Sequence, residues 1–198
     1  SIGERIMALT RLGLNQSINL ASNVTGALPV ANGGTALTSG FVNGGSLTEV
    51  DTWRVTTNFQ GNTTPIANNW ERDDTALNGL IGTGMSQSSG IFTFPNTGYY
   101  LVTFNMQFSS GGTNNNYILN QIQYTADNGS YSGATFAYSS IVNNGAYQMN
   151  TASKIFDITD TSNQKVRFNT TSEDDNHYVQ CDSSQNGTYA MFIKLGAT

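Results

Sequence analysis

Residues 91–108 constrain this chain more than any other stretch. They read Ile91-Phe92-Thr93 and then, after a turn at Pro95-Asn96-Thr97-Gly98, an extended run in which Tyr100, Val102, Phe104, Met106 and Phe108 recur with period two. That period belongs to a strand with one face in a core and excludes a helix. The opposite face opens with Tyr99, Leu101 and Thr103 and turns polar only at Asn105 and Gln107. A strand in a two-layer sandwich needs one apolar face, so the second predicts burial against something outside the fold.

The same alternation recurs downstream. Trp53, Val55, Thr57 and Phe59 alternate with Arg54, Thr56 and Asn58; Ile118, Ile122 and Tyr124 lie on one face of the next candidate strand, and Phe136, Tyr138 and Val142 follow in another, each strand predicted half-buried. Residues 155–158 and 166–168 continue the series. In a closing strand, Tyr189, Met191, Ile193 and Leu195 alternate with Ala190 and Phe192, again apolar on both sides. Turn clusters at Asn114-Asn115-Asn116, Asp127-Asn128-Gly129, Asn143-Asn144-Gly145 and Gln185-Asn186-Gly187 separate these runs, and no segment after residue 50 has convincing helical spacing. The expectation is an all-β sandwich over residues 50–198.

Residues 1–45 read differently. Ile6, Leu9 and Leu12 fall at roughly helical spacing within residues 5–14, a candidate short helix that would need a docking partner to hold in water. Residues 17–37 are extended, with isolated apolar side chains such as Val24, Leu28 and Val30 that cannot make a core by themselves. A glycine-rich joint at 40–45 reads as a linker. The start lacks the long apolar core of a signal peptide, and no apolar run approaches the ~20 residues of a membrane span, so a soluble chain with no membrane insertion is expected.

Charge and cysteine content narrow the function classes. Charged residues make up 11% of the chain and the net charge is −5; phosphate recognition needs clustered Lys and Arg, so a nucleic-acid partner is excluded. Cys181 is the one cysteine, which rules out an intrachain disulfide and thiolate metal clusters and leaves a structural thiol. Asn-x-Ser/Thr triplets at Asn15, Asn23, Asn62, Asn128, Asn169 and Asn186 arise by chance in a chain this rich in Asn, Ser and Thr.

Phe92, Pro95, Gly98, Tyr100 and Phe104 together resemble the Phe-x-x-Pro-x-x-Gly-x-Tyr-x-x-x-Phe signature of the complement C1q and tumour necrosis factor (TNF) jelly-roll superfamily, and the run from Gly187 to Ile193 resembles its closing strand. Met191 stands where that family has a small glycine. A second resemblance, over residues 17–38, is to bacteriophage tail and head fibre proteins, in which a run like Leu28-Pro29-Val30-Ala31-Asn32-Gly33-Gly34-Thr35 precedes a distal domain; Ala36 replaces the usual glycine. Both families are homotrimeric. The resemblances imply a C1q/TNF-like jelly-roll knob at 50–198 on an extended N-terminal arm, 1–45, that attaches to another virion protein through Ile6, Leu9, Leu12, Val24, Leu28 and Val30. They also imply a trimer interface at Tyr99, Leu101, Tyr189 and Met191, with Tyr189 near the threefold axis and Tyr99 and Leu101 beside it.

Catalytic patterns are sparse. His177 is the one histidine, with no nucleophile arranged beside it. Glu173, Asp174 and Asp175 offer hard oxygen ligands that suit calcium, above all where three copies meet at an apex, as some members of the resembled family bind this ion. Adjacent carboxylates lack the alternating spacing of a dedicated loop, and a solvated acidic turn is the other reading. No other cofactor is expected. The loops at Asn114, Asn115, Asn116 and Tyr117 and at Asn143, Asn144 and Tyr147 carry the polar and aromatic chemistry of recognition surfaces, and equally that of plain turns. The expectation is a non-enzymatic virion protein on the tail or capsid exterior, a homotrimeric fibre or decoration protein whose knob binds a host-cell surface glycan or protein. Three alternatives stay open: a purely structural decoration protein, a polysaccharide depolymerase with paired carboxylates, and a secreted C1q/TNF-like ligand.

Overall fold

The apolar run predicted from residue 99 onward is a twelve-residue strand, Gly98–Ser109, whose inward side chains Tyr100, Val102, Phe104, Met106 and Phe108 are each 0% exposed. At ~1.5–3 kcal/mol for each fully buried large apolar side chain, this strand is the backbone of the core. The computed structural model describes residues 47–142 and 145–198. The expectations for a helix in 5–14, for attachment through Ile6, Leu9, Leu12, Val24, Leu28 and Val30, and for Asn143 and Asn144, lie outside the described residues.

Every described element is a strand: β1 (Val50–Val55), β2 (Phe59–Gln60), β3 (Trp70–Arg72), β4 (Ser86–Ser88), β5 (Ile91–Thr93), β6 (Gly98–Ser109), β7 (Asn115–Thr125), β8 (Ser132–Ile141), β9 (Tyr147–Ile158), β10 (Lys165–Ser172), β11 (Tyr178–Gln180) and β12 (Tyr189–Gly196). The first sheet runs β2-β11-β6-β12-β1-β3, with β9 on the other edge of β6; the second runs β4-β5-β10-β7-β8. All strand pairs are antiparallel. Over the described residues the chain changes sheet six times, between β3 and β4, β5 and β6, β6 and β7, β8 and β9, β9 and β10, and β10 and β11. This is an all-β jelly-roll sandwich.

Aromatic rings fill the space between the sheets. Phe104 from the first sheet and Phe168 from the second lie 4.7 Å apart, and Trp70 meets Phe92 edge-on at 5.0 Å. Such pairs add stability beyond the area they bury. Two buried amides tie the layers: Asn120 Nδ2 of β7 donates to the Phe104 carbonyl of β6 at 3.0 Å, and Asn150 Nδ2 of β9 to the Ile118 carbonyl of β7 at 3.0 Å. Within the signature, Gly98 has φ +143°, and a Cβ there would stand 2.5 Å from the Gly196 carbonyl oxygen. No other residue fits between β6 and the end of β12.

Two expectations for the strands are corrected. The first strand stops at Val55 rather than continuing to Phe59. Phe136, Tyr138 and Val142, read as the apolar side of a half-buried strand, are 55%, 57% and 62% exposed. Phe136 and Tyr138 face outward because β8 is an edge strand whose inward positions are the alternate ones.

Candidate assembly face and ligand pocket

The second apolar face of β6 looks away from the core. Antiparallel pairing places Leu101 between Ile193 of β12 and Ile155 of β9, and places Thr103 opposite Met191. On the far side of β12, Val50 of β1 pairs with Ile193. Leu101, Met191, Ile193 and Val50 are half-buried, while Tyr99 and Ile155 are exposed. The face is therefore apolar across four adjacent strands at this end. Contiguous apolar patches of this kind mark interaction surfaces.

Of the expected interface residues, Leu101 and Met191 fall within this patch, and Tyr99 lies at its rim opposite Asp157. Tyr189 is displaced. It shares the face but stands opposite Asn105, four positions along β6 from Leu101, because β12 begins there and runs antiparallel; Ile193 takes the place beside Leu101. Ile155 belongs to the patch and was not foreseen, since β9 as a whole has no apolar alternation to reveal it.

Beyond Asn105 the same face turns polar. Thr151 Oγ1 donates to Asn105 Oδ1 at 2.6 Å across β9 and β6. Past this pair, Gln107, Tyr147 and the segment joining β11 to β12 enclose a pocket of about 310 Å³. Tyr147, expected in a loop, is the first residue of β9, and it is 63% exposed. Cys181 lines the pocket, and burial pushes its thiol up to about 12, so it is protonated and unreactive at neutral pH.

The acidic run does not converge. Glu173 accepts from the backbone and side chain of Asn116, Asp174 from Thr113, and Asp175 from the backbone of Asn62. Among the described residues no group of three such side chains is placed to hold a metal ion. The Asn114 to Tyr117 loop is also partly structural: Asn115 is fully buried, donating to Asn176 Oδ1 at 2.7 Å and accepting from the Asp174 amide at 3.0 Å. Asn114, Asn116 and Tyr117 stay exposed. His177 is buried between two hydroxyls, with Nε2 2.9 Å from Thr170 Oγ1 and Nδ1 2.7 Å from Ser172 Oγ. Burial holds its imidazole down to about 4, against the opposing pull of Asp175.

A buried ion cluster is the other feature absent from the sequence reading. Arg54 is 0% exposed and donates to Asp73 at 3.0 Å, Glu71 at 2.8 Å and Asp74 at 2.5 Å. Burial alone would raise the Asp73 carboxyl, but hydrogen bonds from Thr75 and Asn186 and the Arg54 charge outweigh it and hold the group below its ordinary value. Asn186 also lines the pocket, so the cluster anchors one wall of it.

No protein-family model matches the chain, and no curated protein is similar to it. Solved structures match its fold. Murine APRIL at pH 5.0 superposes with a TM-score of 0.56 at 14% identity, over 74% of this chain and 98% of that one. The same protein at pH 8.5 gives 0.53 at 14% identity, over 74% and 98%. Eiger TNF from S. frugiperda gives 0.54 at 12% identity, covering 77% of this chain and 96% of its own. At these identities the likeness defines architecture alone. The fold is a jelly roll of the C1q/TNF type.

Proposed function

We propose that this chain is a homotrimeric virion protein, a fibre or decoration protein on the tail or capsid exterior, whose jelly roll binds a host-surface receptor or glycan. The assembly rests on one observation above all: the apolar patch around Leu101, Ile193, Met191 and Ile155 on a face that the sandwich itself does not cover. A ring of three would bury that face once per subunit and close on itself, leaving no unsatisfied copy. The virion location is supported by the resemblance of residues 17–38 to phage fibre arms, in which residues 1–45 attach to another virion protein. The catalytic alternative has little support, since the pocket beside Gln107 has one carboxylate, Asp182, in its lining and glycan hydrolysis needs two. Sedimentation of residues 50–198 is expected to give three subunits, and antibody raised against the jelly roll is expected to decorate intact particles. Particles left unlabelled would remove the virion reading.

The purely structural alternative shares the trimer and the location. It differs in one outcome: isolated knob would then neither coat susceptible cells nor compete with infection.

A further inference from the structure

The polar end of the assembly face holds an unspent set of hydrogen-bonding groups. Around the pocket of about 310 Å³, Gln107 and Gln185 make hydrogen bonds to described residues through their backbones alone, so both side-chain amides are free. Asp182 Oδ1 is taken by Ser184 and by the Gln185 amide, while Oδ2 is open. Asn186 spends its Nδ2 on Asp73 and keeps its carbonyl. Gln180 differs in being engaged at both ends, by Ser109 and Asn58, which fixes its place in the wall. At the rim stands the exposed ring of Tyr147.

These groups match one ligand chemistry. Planar amides present a donor and an acceptor side by side, which complements vicinal hydroxyls that both give and accept. An exposed tyrosine ring packs against the C–H face of a pyranose at little entropic cost. No cation lines the pocket and Asp182 does, so a carboxylated or sulfated sugar is repelled. The volume is at the small end of ligand pockets, ~300–1,000 Å³, which leaves room for one ring. The absence of a Cβ at Gly187 keeps the floor open, since one there would stand 3.1 Å from Gln107 Oε1. Gln107 lies six positions along β6 from Leu101, roughly 20 Å at 3.3 Å per residue, so the pocket is clear of the apolar patch.

We propose that this pocket binds one neutral pyranose unit of a glycan. The inference rests on reading the domain as a binding knob and supplies the class of ligand. One carboxylate in the lining makes it a binding site and not a hydrolytic one.

The test is saturation-transfer NMR on the full chain with the methyl glycosides of glucose, galactose, mannose and N-acetylglucosamine, and methyl glucuronide as the charged control. At least one neutral glycoside is expected to bind saturably, with methyl glucuronide weaker by about tenfold or more. Tyr147→Ala and Gln185→Ala, both at exposed positions that leave the fold intact, are each expected to weaken binding by about tenfold. No saturable binding by any neutral glycoside, equal binding by methyl glucuronide, or wild-type affinity in both variants overturns the site. A chain that sediments as a trimer yet binds none of these sugars loses the pocket and keeps the assembly. A monomer that binds one does the reverse.

Discussion

Leu101 of β6 and Ile193 of β12 face each other across an antiparallel pair, and both point away from the core. Ile155 flanks Leu101 from the other side. An apolar triplet spanning three strands on an outward surface is the centre of the proposed contact between subunits. Leu101→Asp and Ile193→Asp are therefore expected to dissociate the trimer, because an unpaired carboxylate buried at each contact costs about 3–5 kcal/mol. Tyr189→Asp is expected to weaken it less, since Tyr189 lies beside the polar Asn105. Sedimentation velocity at micromolar concentration reads all three. A Leu101→Asp chain that stays trimeric would sink this face as the interface.

How much of this was legible follows from the strands involved. β6 and β12 declared themselves because their inward and outward positions both alternate cleanly, as in Tyr100, Val102 and Phe104 against Tyr99, Leu101 and Thr103. β9 stayed hidden. Its inward face includes Asn150, bonded across to the Ile118 carbonyl, and Lys154, whose ammonium escapes through the open sandwich edge to the Ala134 carbonyl. Polar groups on both faces erase the period that identifies a strand. The pocket was out of reach for another reason: Gln107 and Gln185 are far apart in sequence, and only the return of β12 alongside β6 brings them together. Gly98 was found through the signature, although its reason, the approach of Gly196, needs the fold.

Gly98→Ala tests that approach. Its φ of +143° disfavours any side chain, and the added methyl would press on the Gly196 carbonyl and on Lys194 Cε at 2.4 Å. The lysine can swing aside, but the carbonyl cannot without disturbing the β6–β12 pairing. The expected loss is about 1–3 kcal/mol of stability. It should appear as a lower urea midpoint with an unchanged slope. A midpoint equal to wild type would mean that the end of β12 yields freely.

His177 makes stability depend on acid. Its folded-state value near 4 lies below the ordinary 6.5 because the ring is buried, so the unfolded chain binds more protons between those two values. The contribution is complete above about pH 6.5, declines as pH falls, and is gone near pH 4, a total of about 3 kcal/mol. Urea midpoints measured from pH 7 to pH 4.5 should fall steadily in wild type. His177→Gln, which keeps hydrogen-bonding capacity without a titrating ring, should flatten that slope even though its stability at pH 7 is lower. Equal slopes for the two proteins would assign the acid sensitivity to other groups.

Arg54 gives the strongest single-site expectation. Its guanidinium is wholly buried and bridges Glu71 and Asp74, which reach toward solvent, to Asp73, which does not. Removing the cation leaves the Asp73 carboxylate in a site that excludes water, held only by Thr75 and Asn186. Arg54→Met is expected to cost about 3–5 kcal/mol, the usual penalty for stripping one partner from a buried pair. Arg54→Lys should fall between, because one ammonium restores the charge but cannot span three carboxylates with a fixed fork. If the cost comes from the stranded charge, adding Asp73→Asn to Arg54→Met should recover part of the loss, since an amide there needs no counter-ion. Chemical denaturation of the single and double variants measures the coupling directly. Additive losses would mean that Arg54 stabilises the sandwich through packing, with its charge contributing nothing.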